Sequence, residues 1–273
     1  MLSRAAEVFR EEGPNQLATK SLRALRRKTA LAYWHTRGSR TFEIQDVTAS
    51  FATDGRAARS LQIFDDGERE MVRDLIANVD EDDVFWDVGA HLGFHACLVG
   101  QCTNRVEAFE PGSIAAERAR QHIATNDVEA SVHECALWDT NETLTLDSQS
   151  AATSGEGPVT APARRGDDFV DEGIPQPNVV KIDVEGAEPR VIEGMQETLA
   201  NDQCRLVYCE VHRPADTRSS VRDHGATVEE FLRSLSDLGF TVETIKDRGL
   251  DLHVKARSTQ PTAQERTPAE ARL

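Results

Sequence analysis

From residue 67 onward the chain alternates between short apolar runs and stretches of helical periodicity, and this alternation restricts the fold more than any other property of the sequence. Apolar runs stand at 84–88, 105–109, 130–134, 179–183 and 205–210, and helical patterns fill 67–78, 92–102, 113–126 and 187–199 between them. Strands that take turns with helices specify a mainly parallel sheet covered on both faces, because a parallel crossover needs a helix to carry the chain back. A last helix at 228–238 precedes strand patterns at 240–245 and 250–254, close enough for an antiparallel hairpin at the sheet edge. The expected class is therefore α/β and Rossmann-like.

The rest of the chain falls outside this rhythm. Residues 137–170 form an insertion with a strand pattern at 143–146 and a Ser/Ala/Gly/Pro-rich stretch at 148–163 that reads as loop. Residues 1–35 read as helical with a break at Gly13-Pro14, and 36–65 as loop with short strands. Lys20, Arg23, Arg26, Arg27 and Lys28 make the N-terminal helix the one basic stretch. Either its Leu22, Leu25 and Leu31 side packs on the domain, or it docks on an acidic acceptor or an anionic membrane surface. The expected organisation is an extension at 1–64, the main domain at 65–256 and a disordered tail at 257–273, where Thr, Pro, Gln and charge replace apolar periodicity.

Charge narrows the classes of partner. Lys+Arg number 31 against 47 Asp+Glu, a formal charge of −16, which disfavours nucleic acid as a partner. Nearly all the cations are Arg, a pattern of salt-adapted, halophilic proteins and also of ordinary acidic enzymes from GC-rich genomes. Cys97, Cys102, Cys135, Cys204 and Cys209 lie mostly in core-like runs without a C-x-x-C pair, as reduced buried thiols do. With no long apolar span and no apolar signal segment, the expectation is a soluble, cytoplasmic protein.

The first chemical motif is the strand 84–88 running into Gly89, Ala90, His91, Leu92 and Gly93. Gly89 permits a tight turn and Gly93 lets a helix start close to the strand, as in dinucleotide sites. Asp87, however, stands where the first fingerprint glycine would be. A carboxylate there repels a pyrophosphate and attracts the ammonium or sulfonium of S-adenosylmethionine. Glu110, before Pro111, follows the glycine turn by the spacing at which a carboxylate accepts ribose hydroxyls. Ala136, beside Cys135 and Leu137, is placed to border an adenine.

A second motif is Lys181-Ile182-Asp183-Val184-Glu185-Gly186-Ala187-Glu188, again a strand ending in acids and glycine. Asp183 reaches the carboxyl edge of the sheet, where open α/β sheets bind ligands. Glu188 serves equally as a first-turn acid complementing the helix dipole. The next strand brings Glu210 and His212 to the same edge. His212 is the candidate general base, oriented by Glu210 or Asp183. Asp183, Glu185, Glu210 and His212 also have the donor types for a divalent ion, but the base reading is preferred and no metal is assigned. His91 and His95, four apart on a helix, lack a third ligand and read as surface or cofactor-edge residues.

The stretches at 85–95 (FWDVGAHLGFH), 106–113 (VEAFEPGS), 136–139 (ALWD), 179–195 (VVKIDVEGAEPRVIEGM) and 209–212 (CEVH) resemble the FkbM-type methyltransferases. The resemblance spans about residues 65–255. It implies a class I methyltransferase fold, a seven-stranded sheet with a reversed final hairpin, and S-adenosylmethionine as donor. By that likeness Asp87, Gly89 and Gly93 surround the methionine part, Glu110 the ribose, and Asp183 with Glu185 the donor and acceptor edge. The acceptor implied is a hydroxyl of a sugar, glycolipid or secondary metabolite. Two alternatives share the fold: an NAD(P)-dependent oxidoreductase, and a methyltransferase-like protein that binds without turnover.

Overall fold

The computed structural model describes residues 14–54, 57, 61, 67–146, 159–216 and 218–260. Helix α1 (Pro14–Arg37) leads into a hairpin of β1 (Ser39–Ile44) and β2 (Val47–Ala52). The central unit then runs α2 (Arg69–Ile76), β3 (Phe85–Val88), α3 (Phe94–Val99), β4 (Val106–Phe109), α4 (Ser113–Thr125) and β5 (Ala130–His133). After β6 (Ala136–Leu137), β7 (Glu142–Leu146), β8 (Val159–Arg164) and α5 (Gly166–Asp171) come β9 (Val179–Ile182), α6 (Glu188–Gly194), α7 (Gln196–Ala200) and β10 (Leu206–His212). A short 3-10 turn at Val221–His224, α8 (Val228–Asp237), β11 (Phe240–Asp247) and β12 (Asp251–Ser258) close the chain.

The main sheet has seven strands in the order β11-β12-β10-β9-β3-β4-β5. β10, β9, β3, β4 and β5 are parallel, and β12 inserts antiparallel between β10 and β11. This is the expected class I methyltransferase topology with its reversed hairpin. Alternation along each strand builds a core on both faces. Phe85, Val106, Val179 and Tyr208 meet α2, α3 and α4 on one side, while Trp86, Val180 and Val207 meet α5, α6, α7 and α8 on the other. Chain order reverses between β3 and β9, so the crevice beyond their carboxyl ends is where such a sheet takes a ligand.

Four features depart from the sequence reading. The stretch 148–163 was expected as loop, yet β8 occupies its end and joins β6 and β7 in a three-stranded sheet. The helix expected over 187–199 is two helices: Gly194 packs so close to the Trp138 carbonyl that a Cβ there would stand 1.8 Å from it, and Met195 turns out of helical geometry at φ −126°. Leu22 and Leu25 on α1 are exposed and Leu31 is half-buried, so two of the three leucines expected to pack on the domain are uncovered. The hairpin at 39–52 is part of the core, with Phe42 and Phe51 against Phe94 of α3 at ring distances of 5.1 and 5.0 Å. Residues 1–13, 147–158 and 261–273, including most of the expected loop and the expected tail, lie outside the described residues.

Candidate active site

The glycine turn after β3 is pinned from two sides. Gly89 sits at φ +78°, and a Cβ on it would stand 1.9 Å from the Asp183 carbonyl oxygen, so the turn and the end of β9 touch backbone to backbone. Only glycine tolerates both conditions. The amides of Gly89 and Ala90 donate to the Phe109 carbonyl, and His91 N–H donates to Glu110 Oε2 at 2.8 Å. Glu110 Oε1 accepts from Gly112 N–H at 2.8 Å. Glu110 thus ties the turn to the end of β4 while each oxygen keeps a lone pair for a further donor. Burial pushes its carboxyl up to about 7, against the opposing pull of those amides. Pro111 is half-buried behind it, and Gly93, at φ +73°, brings α3 against Ala119 of α4.

Asp87 is fully buried. Its Oδ2 accepts from Ala96 N–H of α3, and its Oδ1 lies 3.3 Å from Lys181 Nζ. Burial pushes its carboxyl up, an effect that Lys181 opposes. Lys181 also donates to the Gly89 carbonyl at 3.2 Å and pairs with Asp183 Oδ2 at 3.6 Å. The carboxylate that the sequence assigned to a sulfonium or ammonium therefore already has a resident cation, and its first task is to fix the glycine turn, α3 and β9 together. Asp183 retains 23 % exposure of its side chain at the sheet edge, and Lys181 and His212 hold it below the usual carboxylate range despite its burial.

His212, at the end of β10, is buried among three carboxylates. Nδ1 makes a 2.7 Å hydrogen bond with Glu188 Oε1, and Nε2 faces Asp183 Oδ1 at 3.8 Å and Glu185 Oε2 at 3.5 Å. Burial alone would lower its pKa, but the hydrogen bond and charge of Glu188, then Asp183 and Glu185, override it and push His212 up to about 10. The orienting acid is thus Glu188, not Glu210 or Asp183. Glu188 is fully buried and also accepts from Gly186 N–H at 3.0 Å. The loop that makes this possible carries Glu185 at φ +54° and Gly186 at φ +106°, with room for no Cβ on Gly186, which would stand 2.5 Å from Ser220 N.

Glu210 turns to other partners, Arg248 Nη1 at 3.2 Å and His253 Nε2 at 3.1 Å. One ligand atom from each of Glu210, His212 and Asp251 lies within 4.8 Å of the others, a spacing that suits a divalent ion, and Arg248 and Arg218 supply the positive charge to their carboxylates. Beneath lie His95 and Glu68, 3.7 Å apart. Burial, then the charges of Glu210 and Asp183, push Glu68 up to about 8. Carboxyl groups crowded here suppress one another's ionisation even with Lys181 and Arg248 nearby.

The structure therefore brings Asp87, Gly89, Glu110, Asp183, Glu185 and His212 to one edge, with Glu210 beside them. Ala136 pairs with Ala163 in the small sheet. His91 precedes α3 in a left-handed turn, and His95 points into the buried cluster, so the two do not share a helix face. Lys181, Glu68, Arg248 and His253 have no role in the sequence reading, and Glu188 has there only the alternative role of a first-turn acid, not that of partner to His212. Lys181 was the most legible of them: a cation in an apolar strand, two residues before Asp183, must share its face and its neighbours.

A family model for the methyltransferase FkbM domain matches residues 87–242, which include the glycine turn, Glu110, the Lys181–Glu188 loop and His212. The chain belongs to the FkbM methyltransferase family. Among curated relatives, the hexuronic acid methyltransferase AglP of Haloferax volcanii is 33% identical over 159 residues, which are 56% of this chain and 65% of that protein, just under two thirds of its length. Solved structures with a similar course include a methyltransferase FkbM from Methylobacillus flagellatus KT, at 16% identity and TM-score 0.46 over 67% of this chain and 46% of that one. A precorrin-6y C5,15-methyltransferase from Geobacter metallireducens GS-15 aligns at 15% identity and TM-score 0.46 over 70% and 88%.

Proposed function

We propose that this FkbM-family chain transfers a methyl group from S-adenosylmethionine to an oxygen of an acidic sugar, a hexuronic acid within a glycan. The observation that carries the reading is the Glu188–His212 pair, with Nε2 of His212 facing Asp183 and Glu185 across the crevice at the β3–β9 switch point. The residues fit the donor: Glu110 can accept ribose hydroxyls, and Asp183 and Glu185 set two carboxyl groups at the exposed rim for a sulfonium, beside the buried cations Lys181 and His212. When bound, the donor supplies an electrophilic methyl on a cationic sulfur. Asp183 and Glu185 orient it, and the neutral form of His212 takes the proton of the acceptor hydroxyl while Glu188 fixes its ring. Likeness to a hexuronic acid methyltransferase supports the sugar acid as acceptor. Family membership favours this chemistry over hydride transfer to a nicotinamide.

The cationic state of His212 favours a second choice of oxygen. A hexuronate carboxylate is already ionised, needs no base and would pair with an imidazolium. Incubation of the chain with methyl-deuterated donor and hexuronate-containing glycans, followed by mass spectrometry, tests both. A label that survives mild alkali marks a hydroxyl acceptor, and one lost in mild alkali marks the carboxylate. No label on any acidic glycan overturns the proposal.

A further inference from the structure

Helix α1 spans 24 residues, about 36 Å of helix. It is held at its C-terminal end, where Thr53 Oγ1 and Gly38 N–H donate to the Trp34 carbonyl at 2.6 and 3.2 Å and the Arg40 guanidinium lies 5.2 Å over the Trp34 ring. Farther along, Leu22, Leu25 and Tyr33 are 51, 58 and 50% exposed. Among the described residues only Ile114 and Leu250 are comparably exposed large apolar side chains, so this helix carries most of the uncovered apolar bulk. At 3.6 residues per turn the three positions fall within an arc of about 80°. They form a stripe.

The same segment inverts the charge of the molecule. Between residues 13 and 42 there are seven basic residues and no acidic one, whereas the rest of the chain carries 24 basic against 47 acidic residues. We propose that α1 is a docking helix for an anionic lipid bilayer, lying in the plane of the surface with its Leu22–Leu25–Tyr33 stripe among the acyl chains and its basic residues at headgroup phosphates. Both halves of the observation are needed to choose this partner. An RNA would use the cations and leave the leucines in water. A second copy paired along the stripe would bring two basic segments together. A bilayer surface uses apolar stripe and cations at once. The helix lies on the membrane and does not cross it: no helix among the described residues is long and apolar enough to span one. The inference stands on α1 alone and does not depend on the chemistry of the crevice.

Flotation of the full chain with vesicles of phosphatidylcholine, with and without phosphatidylglycerol, tests it. The chain should float with the anionic vesicles and much less with the neutral ones. The double variant Leu22→Asp/Leu25→Asp should bind anionic vesicles about tenfold more weakly or worse, while its thermal melt matches the wild type. Absence of wild-type flotation overturns the proposal, as does equal flotation of the variant. So does sedimentation showing that the variant turns a dimer into a monomer, or RNA binding that the variant retains while vesicle binding is absent.

Discussion

At the scale of single residues the account turns on Glu188 and His212. Glu188→Gln removes the charge that holds the ring ionised and leaves only a neutral amide oxygen to accept from Nδ1. Turnover should fall about 100-fold, with donor affinity little changed. For a hydroxyl acceptor, the wild-type rate should rise with pH up to a midpoint at or below about 10, because a cationic sulfur in the crevice opposes the imidazolium. The Gln variant should shift that limb downward, and pH–rate profiles of both proteins check it. Gly89→Ala places a methyl 1.9 Å from the Asp183 carbonyl at φ +78°, and should abolish donor binding and destabilise the chain by about 1–3 kcal/mol, measurable by denaturant unfolding. Much of this site was legible in the sequence, since strand ends and glycines announce the crevice. What stayed hidden was pairing: which acid takes His212, and that Lys181 claims Asp87, depend on contacts between elements that no local pattern encodes.

Elements were legible where periodicity was strong. The five parallel strands and the final hairpin follow from apolar alternation, with observed bounds within a residue or two of the expected ones except at the last strand, which runs to Ser258, four residues past its expected end and into the segment expected as tail. β8 was missed because Pro162 interrupts it and its composition is that of a loop; it survives because Pro162 pairs with Thr143 of only one neighbour, β7. The hairpin at 39–52 shows alternation, with Phe42, Ile44, Val47, Ala49 and Phe51 inward around Gln45 at φ +53°. Its attachment to the domain is a matter of packing and of His122, whose Nδ1 donates to the Leu92 carbonyl while Nε2 accepts from Ala52 N–H. Phe51→Ala should therefore cost the whole domain about 3–5 kcal/mol in a single cooperative denaturant transition. An early separate transition for the hairpin, with the domain unchanged, would contradict its place in the common core.

For the whole molecule, the buried acids link stability to pH. Glu68 and Glu110 have folded-state values of about 8 and 7, above their ordinary 4.5, and Asp87 is also raised. Above about pH 6.5, where His91 and His95, lowered by burial, are neutral in both states, these acids keep more protons in the native state than in the unfolded chain, so stability falls as pH rises from there to about 8. Melting temperatures of the ligand-free chain should decline from about pH 6.5 to 8, and saturating S-adenosylmethionine should reduce the decline by adding a positive charge beside the acids. The central claim is that this crevice, with Glu110 on one side and Asp183 on the other, binds that donor. Calorimetric titration of S-adenosylmethionine into the wild type and into Glu110→Ala tests it most directly: saturable binding that the substitution weakens at least tenfold is expected. Absence of binding by the wild type, or binding that Glu110→Ala leaves untouched, would contradict it.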